Sequence, residues 1–473
     1  MIIRNKLAIS WLRNAVTALA ISGLYSIIIV ILRTPKITDL FTDKDIFKSA
    51  LIIHVNLSVL VWLLSIMAVI WSYSNIKVAY LRVFSRLSFV SMVLMMISPF
   101  VGEKIPVMNN YIPMLENLSF IIGLSLFGVS IFCFAVVTAF TSYIELSTNN
   151  HSRTLNLVKF TSAIMIIAVW LCFILSLNQL DKLTEVVDLD IDYYYEMLYW
   201  SGGHLLQFIY TQILMLVLLI LFEIALSQKL KLNSLYNNLF ISNFLLSLLV
   251  FYGHFTYDIA DGEFKEFYTL HMKYTGGLVP SLFILALAYE MFILTKSKIK
   301  NDKLTSLVNI VIFSSCLLFL SGGLIGLIIA GINVTIPAHY HGSIVGISIA
   351  FMGFTYIHCY QQQISPHITD PSMVSNLLIL NNSTEKSNSN DLYTTKKFKL
   401  PIWQIYILTF GQILHISGLA LAGGYGILRK DPDGNIMLSA KIYMGLVGAG
   451  GLIAIIGGLI FVYICGKKLY FYK

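Results

Sequence analysis

Two histidines stand one residue apart at the start of an apolar segment, in the run Ala338-His339-Tyr340-His341-Gly342. On a helix of about 3.6 residues per turn, positions i and i+2 point about 200° apart. Such a pair cannot chelate one metal ion, but it can present one imidazole to each of two centres on opposite sides of the helix. Neutral imidazole is a ligand of haem iron, copper and non-haem iron. The pair therefore predicts a helix that serves two metal centres.

The composition predicts an all-α polytopic membrane protein. Of the 473 residues, 57% are hydrophobic and 12% are charged, and the mean hydropathy is +0.78. A helix needs about 20 apolar residues to cross the hydrocarbon layer, and we predict twelve such helices in one domain over residues 1–473. The predicted spans are 11–33, 47–72, 82–101, 117–142, 156–179, 198–227, 237–257, 265–296, 305–331, 335–361, 401–427 and 440–466.

Charge in the short loops predicts the orientation. Basic residues gather on one side of the predicted spans and acidic loops lie on the other, so both termini are expected to be cytoplasmic, in a bacterial inner membrane. The basic loop residues are Arg4, Lys6, Arg13, Lys77, Arg82, Arg153, Lys159, Lys229, Lys231, Lys296, Lys298, Lys300, Lys303, Lys396, Lys397, Lys399, Lys467 and Lys468. The net charge of +8 is thereby attributed to topology and not to a nucleic-acid partner. The Ser/Asn-rich stretch 362–400 is expected to be a cytoplasmic loop.

The cysteines exclude several kinds of metal site. All five (Cys133, Cys172, Cys316, Cys359 and Cys465) are scattered, with no CxxC spacing. This pattern argues against iron–sulfur ligation, a covalent c-type haem and a dinuclear copper site on this chain.

Six histidines from five predicted helices fall near the outer face in this topology. They are His54, His204, His254, His271, His339 and His341. Ionisable residues within membrane spans usually mark function. Because no HExxH motif or carboxylate cluster accompanies them, a haem site with one further metal is favoured over a zinc hydrolase.

At four segments the chain resembles subunit I of the haem–copper oxidase superfamily, over its whole length. The segments are Pro337-Ala338-His339-Tyr340-His341-Gly342, His54-Val55-Asn56-Leu57, Gly203-His204-Leu205-Leu206 and Val279-Pro280-Ser281-Leu282. The resemblance implies the family's twelve-helix arrangement and two haems, one high-spin on His339 and one low-spin on His54 and His341. It also implies a non-haem metal, copper or iron, on His204. The H-x-N-L form of the second segment is closest to nitric oxide reductases.

The resemblance also assigns a role to Arg429 and Lys430, which are exceptions to the charge pattern because they lie on the predicted outer side. Family members place two basic residues at this point, where they pair with haem propionates. Carboxylates prefer charged partners. We therefore expect Arg429 and Lys430 to bind propionates.

The chain departs from the family at the second metal. Two adjacent histidines normally end helix 7, but this chain has Gly253-His254. We expect His271, on the next helix, to restore a third ligand beside His204 and His254. Asp258 or Gln207 in place of His271, or a site without the metal, are the alternatives.

A second departure concerns a tyrosine. Most oxygen-reducing members place a tyrosine four residues after the helix 6 histidine, where this chain has Phe208. Phenylalanine supplies neither a proton nor an electron, and the two-electron reduction of NO needs no such tyrosine. Gln207 could hydrogen-bond a bound ligand, and Tyr252 is a weaker candidate replacement for the tyrosine.

The predicted spans contain few residues that could carry protons to the site. Glu223 and Glu290 are expected to extend to the cytoplasmic surface, and Lys273 and Tyr274 lie just after His271. Pumping is therefore not expected, and protons are expected to enter from the outer side, past the acidic loops.

Together these features predict a nitric oxide reductase-type catalytic subunit that reduces NO to N2O. Its electron donor would be a partner subunit with a c-type haem or copper centre, or quinol. The alternatives are a terminal oxidase reducing O2 to water, a haem-binding sensor or degenerate subunit, and a histidine-bearing transporter.

Overall fold

The computed structural model describes residues 5–32, 45–74, 76, 78–148, 153–294, 303–331, 333–360, 398–425 and 438–471. Within them, twelve helices are long and apolar enough to cross a membrane, which confirms the predicted fold class. They are α1 (Lys6–Leu32), α2 (Ile46–Trp71), α3 (Arg82–Phe100), α4 (Leu118–Thr148), α5 (Arg153–Thr184), α6 (Ile191–Leu226), α7 (Asn233–Thr256), α8 (Gly262–Leu294), α9 (Lys303–Leu327), α10 (Thr335–Cys359), α11 (Lys399–Gly424) and α12 (Lys441–Phe471).

Two sequence predictions fall outside the described residues. Arg429 and Lys430 do so entirely, and so does the predicted loop 362–400 except for its last residues. The propionate role and the cytoplasmic loop therefore stay predictions, as does the orientation of the termini.

Two compact units divide the chain. The first comprises Met1–Leu216 and Lys231–Phe283, and the second comprises Val217–Leu230 and Ile284–Lys473. The single domain over 1–473 stays a prediction.

In the first unit, α1 packs on α2 and α4 packs on both α3 and α5. A short hairpin joins α3 to α4, with strands β1 (Ile105–Val107) and β2 (Met114–Glu116) antiparallel and Pro106 opposite Leu115. Its turn spans 108–113. These are the only strands in the part of the chain that the structure describes.

Two spans of the first unit leave regular α-helical geometry beside a predicted ligand. In α2 a π-helical turn over Asn56–Val61 follows His54, and the Asn56 side chain donates to Ile52 O (3.0 Å) and to Pro113 O (2.7 Å) in the hairpin. In α8 a π-helical turn over Met272–Gly276 follows His271. Pro280 lacks the N–H that would bond the carbonyl of residue 276, which loosens this turn. Such π-helical turns frequently occur at functional sites.

A buried ion pair ties α5 to α4. Lys159 Nζ lies 2.8 Å from Glu145 Oε2, and the two side chains are 0% and 4% exposed. Lys159 also donates to Tyr73 O (2.7 Å), and Ser74 donates to the other carboxylate oxygen (2.8 Å). The prediction that Lys159 is a loop cation is wrong, because its helix begins at Arg153 and its side chain is fully buried. Its Nζ has three acceptors, the third being Asn156 Oδ1.

In the second unit, glycines let the helices approach closely. A Cβ built on Gly322 of α9 would overlap the backbone of α10 at Ser343, and one on Gly342 would lie 2.6 Å from Gly322 Cα. On α11, a Cβ at Gly411 would lie 2.5 Å from Ala454 N of α12. Small residues at such contacts are how membrane helices gain van der Waals packing.

Glu223 and Glu290, also in the second unit, are 0% and 3% exposed. The expectation that they extend to the surface is wrong. Glu223 lies on α6 within a run of buried side chains that continues to Ala225, so its short side chain cannot reach the surface.

Candidate functional site

His54 is held between α1 and α2 by a reciprocal pair of hydrogen bonds. Its Nδ1 donates to Ser22 O (3.0 Å), and the Ser22 hydroxyl donates back to His54 O (3.0 Å). The Ser58 hydroxyl also donates to His54 O (2.7 Å). The ring orientation is therefore fixed by a helix–helix contact and not only by the rotamer.

His339 and His341 are each held by a backbone carbonyl. His339 Nδ1 donates across to Gly322 O of α9 (2.7 Å), and His341 Nδ1 donates to Pro337 O one turn earlier on α10 (2.8 Å). Gly326 leaves room for the first ring, since a Cβ there would lie 2.5 Å from His339 Nδ1.

One chemical feature is common to these three histidines. Because a carbonyl only accepts, each ring carries its proton on Nδ1 and its lone pair on Nε2. The hydrogen bond made by one ring nitrogen decides which nitrogen can bind a metal, and such bonds orient metal-ligating histidines. The donor chemistry of His54, His339 and His341 therefore fits axial ligation of haem iron through Nε2.

His204 has partners at both ring nitrogens. Its Nδ1 donates to Trp200 O (2.6 Å), and the Tyr111 hydroxyl donates to Nε2 (2.8 Å). Tyr111 lies in the turn of the hairpin, with its ring centroid 4.7 Å from that of His204. Gly203 makes room for it, since a Cβ there would overlap the Tyr111 ring.

His254 and His271 each keep one nitrogen without a partner. His254 Nε2 lies 2.8 Å from Ser201 Oγ, and His271 Nε2 donates to Leu246 O (2.9 Å). The Nδ1 atoms of both rings are buried and make no hydrogen bond with the described residues. A buried polar atom without a partner is costly. The Nδ1 atom of His271 carries the lone pair of its ring, because Nε2 donates to a carbonyl, and so suits a metal ion; the Nδ1 atom of His254 does so in the tautomer in which Nε2 donates to Ser201 Oγ.

The three rings nevertheless do not converge as they stand. The Tyr268 ring contacts His204 (5.6 Å between centroids) and His254 (6.1 Å), and His271 instead stacks on Phe208 (5.0 Å). Within the described ranges, no three His, Cys, Asp or Glu side chains lie close enough to hold a metal ion. The donor types fit a metal, whereas this arrangement of the side chains does not form a three-histidine site.

The other candidates are spread around the first unit. Gln207 is half-buried on α6, beside the fully buried Phe208. Asp258 is exposed, and its carboxylate accepts from Ala260 N (2.9 Å). Tyr252 is 54% exposed and its ring contacts Phe267 (5.5 Å) and not a histidine.

An open groove leads to His271. Its volume is about 390 Å³, and its lining combines aromatic and aliphatic side chains with two carboxylates. Among the lining residues are Tyr252, Phe267, Leu270, Tyr274, Glu263 and Glu266. This groove could admit a small apolar molecule to the neighbourhood of His271.

Sequence reasoning missed two tyrosines that touch the candidate ligands, Tyr111 and Tyr268. The signal for Tyr111 was the pair Gly202-Gly203 immediately before His204, because adjacent glycines in a span indicate close packing by something large. The signal for Tyr268 was Gly253 itself, where a Cβ would lie 2.7 Å from the Tyr268 hydroxyl oxygen.

His415 of α11 lies beside His341, with 4.8 Å between ring centroids. Its Nδ1 donates to Val447 O of α12 (2.9 Å), and Gln412 of the same helix donates to His341 O (3.1 Å). His415 is thus a helix-contact histidine that also packs on a candidate haem ligand.

Known proteins match this chain over most of its length. The uncharacterized protein RP382 of Rickettsia prowazekii (strain Madrid E) is 41% identical, over 99% of this chain and 97% of that protein. An uncharacterized protein of Aquifex aeolicus (strain VF5) is 24% identical, over 74% of this chain and 83% of its own length.

A solved structure described as a heme-copper terminal oxidase dimer has the same fold, with a TM-score of 0.71 and 15% identity, covering 100% of this chain and 85% of that one. The family model for cytochrome c and quinol oxidase polypeptide I matches residues 6–459. The chain therefore belongs to the haem–copper oxidase subunit I family.

Proposed function

We propose that the chain is the catalytic subunit of a nitric oxide reductase-type enzyme, which converts 2 NO, two electrons and two protons to N2O and water. The observation that carries this proposal is Phe208. Its ring is fully buried and stacks on His271, so the α6 position at which most oxygen-reducing members carry a tyrosine has no hydroxyl. Such a position suits a two-electron reaction better than the four-electron cleavage of O2.

Two haems and a non-haem metal, copper or iron, are the proposed cofactors, and members of the family typically bind haems and a non-haem metal. His339 would be the axial ligand of the high-spin haem, and His54 and His341 would each supply an axial ligand of the low-spin haem. Arg429 and Lys430 would pair with the propionates. When bound, the two haems and the non-haem metal would carry the electrons and form the site at which NO is reduced.

His204, His254 and His271 are the proposed ligands of the second metal. The two unpartnered Nδ1 atoms of His254 and His271 support this assignment. The spacing of the rings requires side chains to move before all three can share one ion.

The chain's own residues would prepare the site in two ways. The aromatic side chains Phe264, Phe267 and Tyr268 pack around His254 and His271 and hold the two rings in place. The groove that reaches His271 is lined mainly by apolar atoms, which suits an apolar diatomic gas. Gln207, half-buried beside Phe208, remains a candidate hydrogen-bond donor to a bound ligand.

The electron donor would be a partner subunit that carries a c-type haem or a copper centre, or else quinol. The subunit would lie in a bacterial cytoplasmic membrane with both termini inside. Protons would reach the site from the outer face, on the side of the acidic loops.

A terminal oxidase with an unusual active site is the second candidate, and Tyr111 favours it. The Tyr111 hydroxyl bonds His204 directly, so a phenol is present at the site although position 208 lacks one. It comes from the hairpin between α3 and α4 and not from α6.

Turnover of the purified complex with each gas separates the two candidates. We expect NO consumption with formation of N2O under anaerobic conditions, and little O2 uptake with the same electron donor. The control is His339→Ala, which removes the proposed high-spin haem ligand and should abolish the activity. Sustained O2 reduction without NO reduction would replace the first candidate with the second.

A further inference from the structure

The open groove beside His271 is lined by one face of α8 and by the end of α7. Its α8 residues recur at spacings of three or four, which places them on one side of the helix. At about 1.5 Å per residue, the lining from Glu263 to Thr275 is about 18 Å long, so the groove runs along the helix. The lining residues are Glu263, Glu266, Phe267, Leu270, His271, Tyr274 and Thr275 of α8, with Leu249 and Tyr252 of α7 and Tyr257 after it.

The polarity of the groove changes along its length. Its two carboxylates, Glu263 and Glu266, lie at the end nearest the loop between α7 and α8. Further along α8, Leu270 and Tyr274 are 43% and 64% exposed. Apolar side chains this exposed on a membrane-spanning helix face lipid, so this end of the groove opens on hydrocarbon. The groove therefore suits an amphiphile whose polar head lies at the end with the carboxylates.

The negative charge of the two glutamates is not balanced by nearby cations. Within the described part of the chain, neither Glu263 nor Glu266 forms an ion pair. Lys265, between them in sequence, has its Nζ over the Trp200 ring at 5.1 Å from the centroid, and Lys273 does not line the groove. This end of the groove should therefore attract a cationic head and repel an anionic one.

Three aromatic rings lie at the same end as the carboxylates. The Phe267 ring contacts those of Tyr252 (5.5 Å between centroids) and Tyr257 (5.9 Å), and the two tyrosine rings are 6.4 Å apart. The faces of aromatic rings attract ammonium groups, and several rings together are how proteins recognise such groups. Carboxylates and aromatic rings therefore select the same kind of head, an ammonium ion.

We propose that this groove binds a membrane phospholipid with an ammonium head, of the phosphatidylethanolamine type. The ammonium lies against Glu263, Glu266 and the aromatic rings, and an acyl chain lies along Leu270 and Tyr274. The groove volume of about 390 Å³ is that of a small-molecule site, for which about 300–1,000 Å³ is usual. The lipid site is independent of the reaction proposed above and of any metal that the histidines hold.

Other occupants fit the lining less well. An anionic phospholipid would bring its charge to two carboxylates, and a neutral quinol would form no ion pair with them. A water-soluble cation would gain nothing from the apolar length of the groove. An acyl chain also keeps the approach to His271 apolar, so a dissolved gas can still pass along it.

The first test asks whether the lipid lies in the groove. The purified complex in detergent is titrated with phosphatidylethanolamine, and bound lipid is counted by native mass spectrometry. Leu270→Trp should fill the groove and abolish this binding, and lipid that the variant retains is subtracted as bound elsewhere. Leu278→Trp is the matched control, because Leu278 is 51% exposed on the same helix but does not line the groove. It should bind the lipid as wild type does.

The second test asks whether the carboxylates select the head. We expect wild type to bind phosphatidylethanolamine about fivefold more tightly than phosphatidylglycerol with the same acyl chains. Two exposed ion pairs predict this factor, which is about 1 kcal/mol at 1.4 kcal/mol per tenfold change. Glu263→Gln combined with Glu266→Gln should remove the preference. Glu185→Gln combined with Asp188→Asn removes the same charge from exposed residues outside the groove and should keep it.

Equal binding of the two lipids by wild type, or tighter binding of phosphatidylglycerol, overturns the proposal. So does a preference that survives in the Glu263/Glu266 variant, or one that is lost equally in the Glu185/Asp188 variant, since the general surface charge would then be its source. Lipid binding by Leu270→Trp equal to that of wild type would place the lipid elsewhere and overturn the site. A chain that reduces no NO but prefers phosphatidylethanolamine keeps the lipid site and loses the reductase.

Discussion

The Tyr268 hydroxyl occupies the space beside Gly253, since a Cβ at residue 253 would lie 2.7 Å from that oxygen. The same hydroxyl donates to Val250 O (2.7 Å), and the Tyr268 ring is fully buried. The resemblance to the family implies a histidine at the position of Gly253. Tyr268 of α8 fills the space that a side chain at residue 253 would need.

This pairing predicts that restoring the histidine harms the fold. Gly253→His should destabilise the protein by about 1–3 kcal/mol, the usual cost of overpacking, because Tyr268 and Phe267 cannot both move aside. Combining it with Tyr268→Ala should cost less than the sum of the two single losses, since the effects of residues in contact are not additive. Thermal unfolding in detergent measures both, with Gly262→Ala as control because nothing lies within 4 Å of that Cβ. Strictly additive losses would contradict the pairing.

Gly326→Ala should disturb the packing of the His339 ring. The new methyl would lie 2.5 Å from His339 Nδ1, so the bond to Gly322 O should break, with weaker haem binding and a loss of about 1–3 kcal/mol in stability. Gly323→Ala, whose Cβ meets nothing within 4 Å, should be neutral or slightly stabilising, since alanine favours helix by about 1 kcal/mol. Haem content and melting temperature report both effects. Equal haem content and melting temperature in the two variants would show that the position of the His339 ring does not depend on Gly326.

The effects on stability of substituting Lys159 and Glu145, the ion pair between α4 and α5, should be strongly coupled. Lys159→Met leaves the buried Glu145 carboxylate without its cation and should cost about 3–5 kcal/mol. Lys159→Met combined with Glu145→Gln should lose less, because no unpaired charge remains. The yield of folded protein and its thermal unfolding in detergent are the measurements. A double variant less stable than Lys159→Met alone would refute the coupling.

The proposed axial ligands predict distinct optical spectra. His54→Ala and His341→Ala should each abolish the low-spin haem signal, and His339→Ala should abolish the high-spin signal and keep the low-spin one. His358→Ala is the control, because its Nδ1 donates to Phe354 O (2.9 Å) in the same way on the same helix but it has no proposed ligand role. Persistence of the low-spin signal in His54→Ala would refute the assignment of that residue.

The sequence was sufficient for the twelve spans because hydropathy is a local property: a segment of about 20 apolar residues crosses the bilayer whatever its neighbours are. It also singled out six histidines, since an imidazole in such a segment is costly and stands out, and their roles as ligands stay predictions. The spacing of His339 and His341 predicted opposite sides of α10, and the two rings are held by different carbonyls, one on α9 and one within α10.

Tertiary structure alone decided what each histidine touches. Tyr111 is separated from His204 by 93 positions in the chain, and no local pattern links a hairpin turn to a distant helix. Glu223 and Lys159 were predicted to be surface charges because both lie near the ends of predicted helices. The distance in sequence to a loop does not reveal which face of a helix is buried by its neighbours. Packing of one helix against another determines both burial and partners, and so it determined that His204 is bonded to a phenol while His254 and His271 keep an open nitrogen.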